Sequence, residues 1–250
     1  MRDPRRLRAV KALSEVSSVF LVLSPKGGVG KTTVSTLLAL ASASLGFKVG
    51  LLDVDFVNPS THILLGLSPG EIKYVEERGV KPFNLRENLY YFTIVSYTLD
   101  RPLPLRGASA SNALWEVLAI VNWGPLNAIF VDTPPGLGDE HLDMLTWLKG
   151  LVKPLLVSTP SALAKRSIER LVEVLRELGY RELYLVENMG EGSLVSLAES
   201  LRLSYVGYIP YEPGVEELVK TPDRLTKTRA WSQAVEASKK ILSQQGELAR

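Results

Sequence analysis

Cysteine is absent from this chain of 250 residues. The protein can therefore form no disulfide, and it has no thiolate to bind zinc, to hold an iron–sulfur cluster or to act as a nucleophile. Histidine is also scarce, because the chain has only His62 and His141, which lie far apart in the sequence. A lone histidine is usually a polar surface residue or a residue that supports a site by bonding to the residues that form it. This pair does not resemble a zinc motif.

Long apolar runs are missing as well. No run approaches the roughly 18 residues needed to span a bilayer, and the basic N-terminus leads into the first strand without the apolar core of a signal peptide. The formal net charge of +2 is too small to indicate a nucleic acid or an acidic membrane as the partner. We therefore expect a cytoplasmic protein, and its 46% hydrophobic and 22% charged residues are typical of a globular domain.

The most informative stretch is Ser-Pro-Lys-Gly-Gly-Val-Gly-Lys-Thr-Thr at residues 24–33. The apolar, β-branched run at 19–23 predicts a buried strand before it, and apolar residues at helical spacing over 33–45 predict a helix after it. A strand, a glycine-rich turn and a helix in this order are the context of a phosphate-binding loop. The alternative is a glycine-rich turn that happens to contain Gly-Lys-Thr. We expect a nucleotide to bind at Gly27, Gly28, Val29, Gly30, Lys31, Thr32 and Thr33.

The residue types of this stretch explain the expected chemistry. Glycines lack a Cβ, so the backbone can turn successive N–H groups towards an anion, and the positive end of the following helix points to the same place. Lys31 adds an ammonium group for the β- and γ-phosphates, and the Thr32 hydroxyl is a ligand for Mg²⁺. The sequence therefore predicts a site for a nucleotide and Mg²⁺.

Pro25 departs from the general motif, which has glycine at that position. Proline fixes its own φ and has no N–H to donate. With the extra lysine at Lys26, the loop resembles the deviant Walker A loop of one group of ATPases. That group includes the MinD and ParA positioning proteins, the nitrogenase iron protein, the arsenite-pump ATPase and the Mrp-type iron–sulfur carriers, and its ParA-like members also lack this glycine. The resemblance implies ATP and ADP as ligands, and it implies that Lys26 reaches across a dimer interface to the partner's nucleotide.

Two aspartates, Asp53 and Asp55, follow the next predicted buried strand at 48–53. Open parallel sheets bind their ligands at the carboxyl ends of the strands. We therefore expect these carboxylates to face Mg²⁺ and the attacking water. The alternative is that they cap the next helix.

A third aspartate, Asp132, ends the apolar run at 128–132. This is the Walker B arrangement, in which an apolar strand carries one carboxylate to the Mg²⁺ shell. The sequence continues as Thr-Pro-Pro-Gly-Leu-Gly at 133–138, a loop that could change conformation around a γ-phosphate. The segment is therefore predicted to be a switch loop that responds to the γ-phosphate.

Four segments together resemble the Mrp/ApbC-type family of iron–sulfur carrier ATPases. Asp-Thr-Pro-Pro-Gly-Leu-Gly-Asp-Glu-His-Leu at 132–142 is similar to the family's switch II segment. Asp-Val-Asp-Phe-Val-Asn-Pro-Ser at 53–60 is similar to its Asp-x-Asp-x-x-Gly-Pro-Ser, with Asn58 in place of glycine. Glu-Asn-Met at 187–189 and Gly-Tyr-Ile-Pro at 207–210 match two further segments. The matches follow the family's order and cover most of the chain.

The same resemblance implies a role for individual residues. Lys31 and Lys26 would act on the phosphates, and Asp55 would position the attacking water. Thr32, Asp53 and Asp132 would hold or support the metal. The remaining contacts to the nucleotide are implied for the Gly136 N–H at the γ-phosphate, for Asn188 at the adenine edge, and for the backbone of Pro210 and Tyr211 at the base pocket.

Alternating strands and helices predict a single α/β domain over 19–250, with a doubly wound, mostly parallel sheet covered by helices on both faces. Within it, residues 68–89 are predicted as a surface excursion and 89–97 as a strand. Residues 1–18 are predicted as a basic amphipathic helix or arm, either a solvated flank or a contact to a membrane or a nucleic acid. The C-terminal helix, at 226–244, is expected to pack on the sheet.

The predicted function is a homodimeric switch ATPase that binds and hydrolyses Mg-ATP slowly and acts on an unknown client protein. Mrp-type carriers place Cys-x-x-Cys shortly after Glu-Asn-Met, where this chain has Gly-Glu-Gly-Ser-Leu at 190–194, so we expect no cysteine-ligated cluster. One alternative is a MinD- or ParA-like ATPase that acts on a membrane or on DNA. Another is a nucleotide-dependent interaction subunit with negligible turnover, which partners a cysteine-bearing protein.

Overall fold

An eight-stranded sheet lies at the centre of the described chain, which comprises residues 3–101, 103–105 and 107–243 of a computed structural model. Ten strands are described there: β1 (Val16–Leu23), β2 (Val49–Asp53), β3 (Val75–Glu76), β4 (Val80–Lys81), β5 (Phe83–Arg86), β6 (Leu89–Phe92), β7 (Leu126–Asp132), β8 (Val152–Ser158), β9 (Tyr184–Asn188) and β10 (Ser204–Ile209). The helices are α1 (Pro4–Ser14), α2 (Lys31–Ser44), α3 (Thr61–Leu65), α4 (Val95–Thr98), α5 (Ala108–Ile120), α6 (Asp139–Trp147), α7 (Ala162–Glu177), α8 (Val195–Ser200), α9 (Val215–Leu218), α10 (Pro222–Leu225) and α11 (Arg229–Ser243).

The strand order of the sheet is β10-β9-β8-β1-β7-β2-β6-β5. Neighbouring strands are parallel except for β5 and β6, which pair antiparallel. The predicted doubly wound, mostly parallel sheet is confirmed. Because β1, β7 and β2 are adjacent and parallel, the loops that follow them meet at one edge of the sheet.

Both faces of the sheet are buried, as the continuous apolar strands require. In β1, Val19, Leu21 and Leu23 face the core that contains α1, α5, α6, α7 and α8. Phe20 and Val22 face the second core, which α2, α3 and α11 cover. This alternation follows the two-residue period of a strand.

Two sequence-based boundaries at the sheet edge are wrong. The segment at 68–89 is more than an excursion, because it contains the short β3–β4 pair and the antiparallel edge strand β5. The residues of β5 are half-exposed and do not form the apolar run that marks a central strand. The strand predicted over 89–97 ends at Phe92. At the next residue, Thr93, the backbone N–H donates to the Tyr74 hydroxyl and the carbonyl accepts from it, so neither group pairs with a strand.

Helix α1 packs along α5 and buries Ala9 and Leu13, so the expectation of a merely solvated flank is wrong. The guanidinium of Arg6 lies 5.1 Å from the ring centre of Trp115 and 4.3 Å from that of Trp147. Arg6 thereby joins α1 to α5 and to α6. Strand β1 already begins at Val16, and Met1 and Arg2 lie outside the described residues.

The expected packing of the C-terminal helix is confirmed. Helix α11 contacts β10 and α2, and the Ser238 hydroxyl donates to the Leu38 carbonyl at 3.3 Å. Gln244, the predicted last residue of this helix, is outside the described part of the chain. Within the described ranges, no helix is both long and apolar enough to cross a membrane.

We expect Arg6→Ala to lower the free energy of unfolding by about 1–2 kcal/mol, because it removes the cation–π contacts and the packed side-chain stem. Urea unfolding measures the change. Arg8→Ala is the matched control, since Arg8 is exposed on the same helix and should change stability by less than about 0.5 kcal/mol. Equal losses in the two variants would contradict the bridging role of Arg6.

Candidate functional site

The glycine-rich loop at 24–30 connects the end of β1 to the start of α2. Gly28 and Gly30 have φ values of 79° and 76°, which is the left-handed region that side chains disfavour. A Cβ on Gly30 would also collide with the side-chain amide of Asn188. The loop lines a cavity of about 500 Å³, which we call the P-loop cavity. All seven residues predicted from the loop motif to bind a nucleotide, Gly27 to Thr33, line it.

Asp132, at the end of β7, lies beneath this loop and receives three hydrogen bonds from the first turns of α2. The Lys31 ammonium donates to its Oδ1 at 2.7 Å, and the Thr32 hydroxyl donates to its Oδ2 at 2.8 Å. The Ser35 hydroxyl donates to Oδ1 at 3.1 Å. The motif does not include Ser35; the only signal for its role is its position one helical turn after Lys31. Since Lys31 is 7% and Asp132 1% exposed, this is a buried ion pair.

Asp53 lies next to Asp132, because β2 and β7 are in register at these two residues. Its carboxylate accepts hydrogen bonds from the Thr61 hydroxyl at 2.6 Å and from the Ser60 and Thr61 N–H groups at 3.2 Å. Burial first, and then the neighbouring charge of Asp132, raise the pKa of Asp53 to about 7. These bonds match the helix-capping alternative, and a metal-supporting role for Asp53 stays a prediction.

Asp55 and Lys26 both line the P-loop cavity. Asp55 is half-buried, and its Oδ1 accepts from the Asn58 N–H at 3.0 Å. Lys26 is exposed at the mouth of the loop. The structure therefore brings the two residues to the same cavity as Lys31, and their predicted roles stay predictions.

The predicted switch segment borders the same cavity through Pro134 and Pro135. The Gly136 N–H donates to the carbonyl of Ser24 at 3.0 Å, so the switch is tied to the start of the loop. A γ-phosphate could receive this N–H only if the bond to Ser24 opened. The predicted role of Gly136 therefore requires a movement of the switch.

His141, which belongs to the predicted switch segment at 132–142, fixes the other end of this switch. Its Nδ1 accepts from the Gly138 N–H at 3.1 Å, and its Nε2–H donates to the Pro134 carbonyl at 3.1 Å. The ring is therefore neutral, and burial lowers its pKa against the opposing charge of Glu140. Both histidines are buried, with His141 0% and His62 2% exposed, so neither is a surface residue, and His141 instead fits the expected alternative of a residue that supports a site.

Asn188, Pro210 and Tyr211 line a second cavity of about 280 Å³, which we call the Asn188 cavity. The Asn188 amide donates to the Val29 carbonyl at 2.8 Å and so connects this cavity to the glycine-rich loop. The structure thus brings together the three residues that were implied to surround a base. Their contact with a nucleotide stays a prediction.

The turn after Asn188, at the position of the carrier cysteines, is held by the buried carboxylate of Glu187. This carboxylate accepts from the Ser193 N–H and hydroxyl at 3.1 Å, and from the Leu194 N–H at 2.8 Å. The Tyr205 hydroxyl adds a fourth bond at 3.1 Å. Hydrogen bonds to one carboxylate therefore shape the turn at 190–194, and sequence periodicity gives no signal for them.

Comparison with known proteins identifies relatives of the whole domain. The profile of a family described as ParA, NUBPL iron-transfer P-loop NTPase, matches residues 15–195. The "Cytosolic Fe-S cluster assembly factor NUBP2 homolog" of Culex quinquefasciatus is 34% identical over 84% of this chain and 89% of that protein. The "Iron-sulfur cluster carrier protein" of Saccharolobus solfataricus is 32% identical over 86% of this chain and 82% of that protein.

A solved structure of a similar protein superposes on this fold. The nucleotide-binding protein of Archaeoglobus fulgidus, solved in complex with ADP, superposes with a TM-score of 0.72 at 28% identity. The match covers 91% of this chain and 95% of that one. The structural similarity therefore covers most of the chain.

We expect stability to fall more steeply in the wild type than in His141→Asn as the pH is lowered from about 7.5 to about 5.5. The unfolded histidine takes up a proton near pH 6.5, whereas the folded ring resists it because its pKa is lowered. Stability is therefore lost as pH falls below the unfolded pKa. Urea unfolding at each pH gives the two slopes. His62, whose pKa is also lowered, is retained in both proteins, and equal slopes would contradict the assignment.

Proposed function

Since the chain belongs to the ParA family of NUBPL-type iron-transfer P-loop NTPases, we propose that it is an ATPase that binds Mg-ATP and uses hydrolysis as a conformational switch. The observation that carries this proposal is the convergence of Lys31, Thr32 and Ser35 on Asp132 beneath the P-loop cavity. The cavity joins a glycine-rich backbone, a lysine and a paired hydroxyl and carboxylate. This is the donor set that a triphosphate and its cation need.

The residues present fit Mg²⁺. The Thr32 hydroxyl and the Asp132 carboxylate lie 2.8 Å apart, and both are the oxygen ligands that this ion prefers. No group of three or more acidic or histidine side chains in the described ranges is arranged to hold a metal, so phosphate oxygens and water would complete the shell. When bound, the ion would neutralise charge on the β- and γ-phosphates.

Lys31 changes partner in the proposed cycle. Its ammonium is paired with Asp132 at 2.7 Å in the structure, and it would turn to the β- and γ-phosphates of bound ATP. Asp132 would then keep the hydrogen bond from the Thr32 hydroxyl and help to hold Mg²⁺. The buried ion pair therefore keeps Lys31 close to its place of action.

Asp55 positions the attacking water in this proposal. It lines the P-loop cavity beside the switch prolines, whereas Asp53 is occupied with the start of α3. The Gly136 N–H exchanges the Ser24 carbonyl for the γ-phosphate, which moves the switch. Loss of that phosphate after hydrolysis restores the bond to Ser24.

Lys26 acts on the nucleotide of a second copy. Its exposed side chain at the cavity mouth could supply positive charge across a dimer interface, as an arginine finger does elsewhere. ATP would then hold two copies together and ADP would release them. We propose such a homodimer with slow turnover in the cytoplasm.

Two relatives are named as an iron–sulfur cluster carrier and as a cluster assembly factor. These 250 residues contain no cysteine, and Glu187 shapes the turn at 190–194 instead. We propose that any cluster handled together with this protein is ligated by thiolates of a partner.

The alternative, a positioning ATPase on a membrane or on DNA, lacks a supporting observation in the described chain. The apolar face of α11 packs on β10 and α2, and that of α1 packs on α5. Co-sedimentation with liposomes or DNA that requires ATP would favour this alternative.

We expect Asp55→Ala to bind ATP but to lower the hydrolysis rate at least about 100-fold, because the water loses its positioning group. Phosphate release measures turnover, and calorimetry measures binding. Asp223→Ala, which removes an exposed carboxylate on α10, should retain the wild-type rate. Unchanged turnover in Asp55→Ala would remove Asp55 from the mechanism.

We expect wild type and Asp55→Ala to be dimeric in Mg-ATP and monomeric in Mg-ADP, as measured by light scattering. Lys26→Ala should bind ATP and remain monomeric, because the cross-subunit charge is lost. Lys48→Ala removes an exposed lysine elsewhere and should dimerise as the wild type does. A wild-type monomer in every condition would refute the shared-nucleotide switch.

A further inference from the structure

Two residues, Thr33 and Glu216, line both the P-loop cavity and the Asn188 cavity. In the proposed function, phosphates occupy the first cavity and the base occupies the second. The sugar of a nucleotide connects the base to the first phosphate. It must therefore lie at the junction that Thr33 and Glu216 form.

Glu216 presents a carboxylate at this junction. The side chain is on α9, and its Oε1 accepts a hydrogen bond from the Thr33 hydroxyl at 3.1 Å. An ionised carboxylate only accepts hydrogen bonds. Beside a polyphosphate this carboxylate is repelled by like charge, and a hydrogen-bond donor on the ligand would offset that repulsion. The ribose hydroxyls are the donors that a nucleotide carries at this position.

The neighbouring acidic residues are engaged elsewhere. The Glu212 carboxylate accepts from the Ala230 N–H at 3.0 Å at the start of α11. Glu217 pairs with Lys220 at 2.9 Å. Glu216 instead accepts from a neutral hydroxyl on the first turn of α2, a weaker bond than one from a cation. A ribose hydroxyl can join or replace that donor without breaking an ion pair.

We propose that Glu216 recognises the sugar, and that its carboxylate accepts a hydrogen bond from a ribose hydroxyl. The site then binds a ribonucleotide more tightly than the deoxy analogue that lacks this hydroxyl. The inference rests on the proposed nucleotide-binding function and adds a specificity that the loop motif does not contain. Thr33 has a positioning role, because its hydroxyl holds the carboxylate at the junction.

The test is calorimetric binding of ADP, 2′-deoxy-ADP and 3′-deoxy-ADP, which avoids hydrolysis. Wild type should bind ADP about tenfold more tightly than at least one deoxy analogue. In Glu216→Ala the ratio should fall to about one, because ADP loses its ribose hydrogen bond whereas the discriminated deoxy analogue loses only the repulsion from a negative charge. In Glu217→Ala, the matched control on the same helix, the wild-type ratio should persist.

Glu216→Gln keeps a neutral acceptor in the same place and should retain part of the ratio. Equal binding of the three ligands by the wild type, or an unchanged ratio in Glu216→Ala, would overturn the assignment of Glu216 while leaving the ATPase proposal standing. If the wild type bound none of the three, the ATPase proposal would fail together with the inference. The two failures are therefore distinguishable.

Discussion

Three donors from the first turns of α2 converge on Asp132, and the geometry of the site depends on this convergence. A buried carboxylate is costly unless it is paired, and removal of one partner of such a pair typically costs about 3–5 kcal/mol. The pair with Lys31 therefore fixes α2 on the end of the central strand β7. The position of the glycine-rich loop depends on this ion pair, because the loop connects β1 to α2 and α2 is held in place by the pair.

The motif residues were predictable because their signals are local. A continuous apolar strand, a glycine-rich turn and a helical period define the loop at 24–30, whatever the rest of the chain does. The parallel order then brings the strand-end residues Asp53 and Asp132 to one edge of the sheet. Asn188, Pro210 and Tyr211 came from family resemblance alone, and the structure places them around one cavity.

His141 and Glu187 lie in segments that resemble the family, but their supporting roles were not predictable, because these roles are side-chain bonds to distant or irregular backbone. His141 holds the Pro134 carbonyl, and Glu187 holds the turn before α8, and neither contact leaves a periodic pattern. The edge strand β5 was missed for a related reason, since a half-exposed strand has no apolar run. The motif predicted that Asp53 supports the metal, but the motif alone could not show that the hydrogen bonds of its carboxylate go to the start of α3.

Helix α11 contacts two elements that border the proposed nucleotide site. Glu212, beside the exposed Tyr211, caps the first turn of α11, and Ser238 of α11 bonds to Leu38 in α2. A helix moves as a rigid rod, so force applied at its C-terminal end reaches both contacts. A fluorescent protein or surface tether fused after α11 would therefore load both contacts, whereas α1 lies on the opposite face of the sheet.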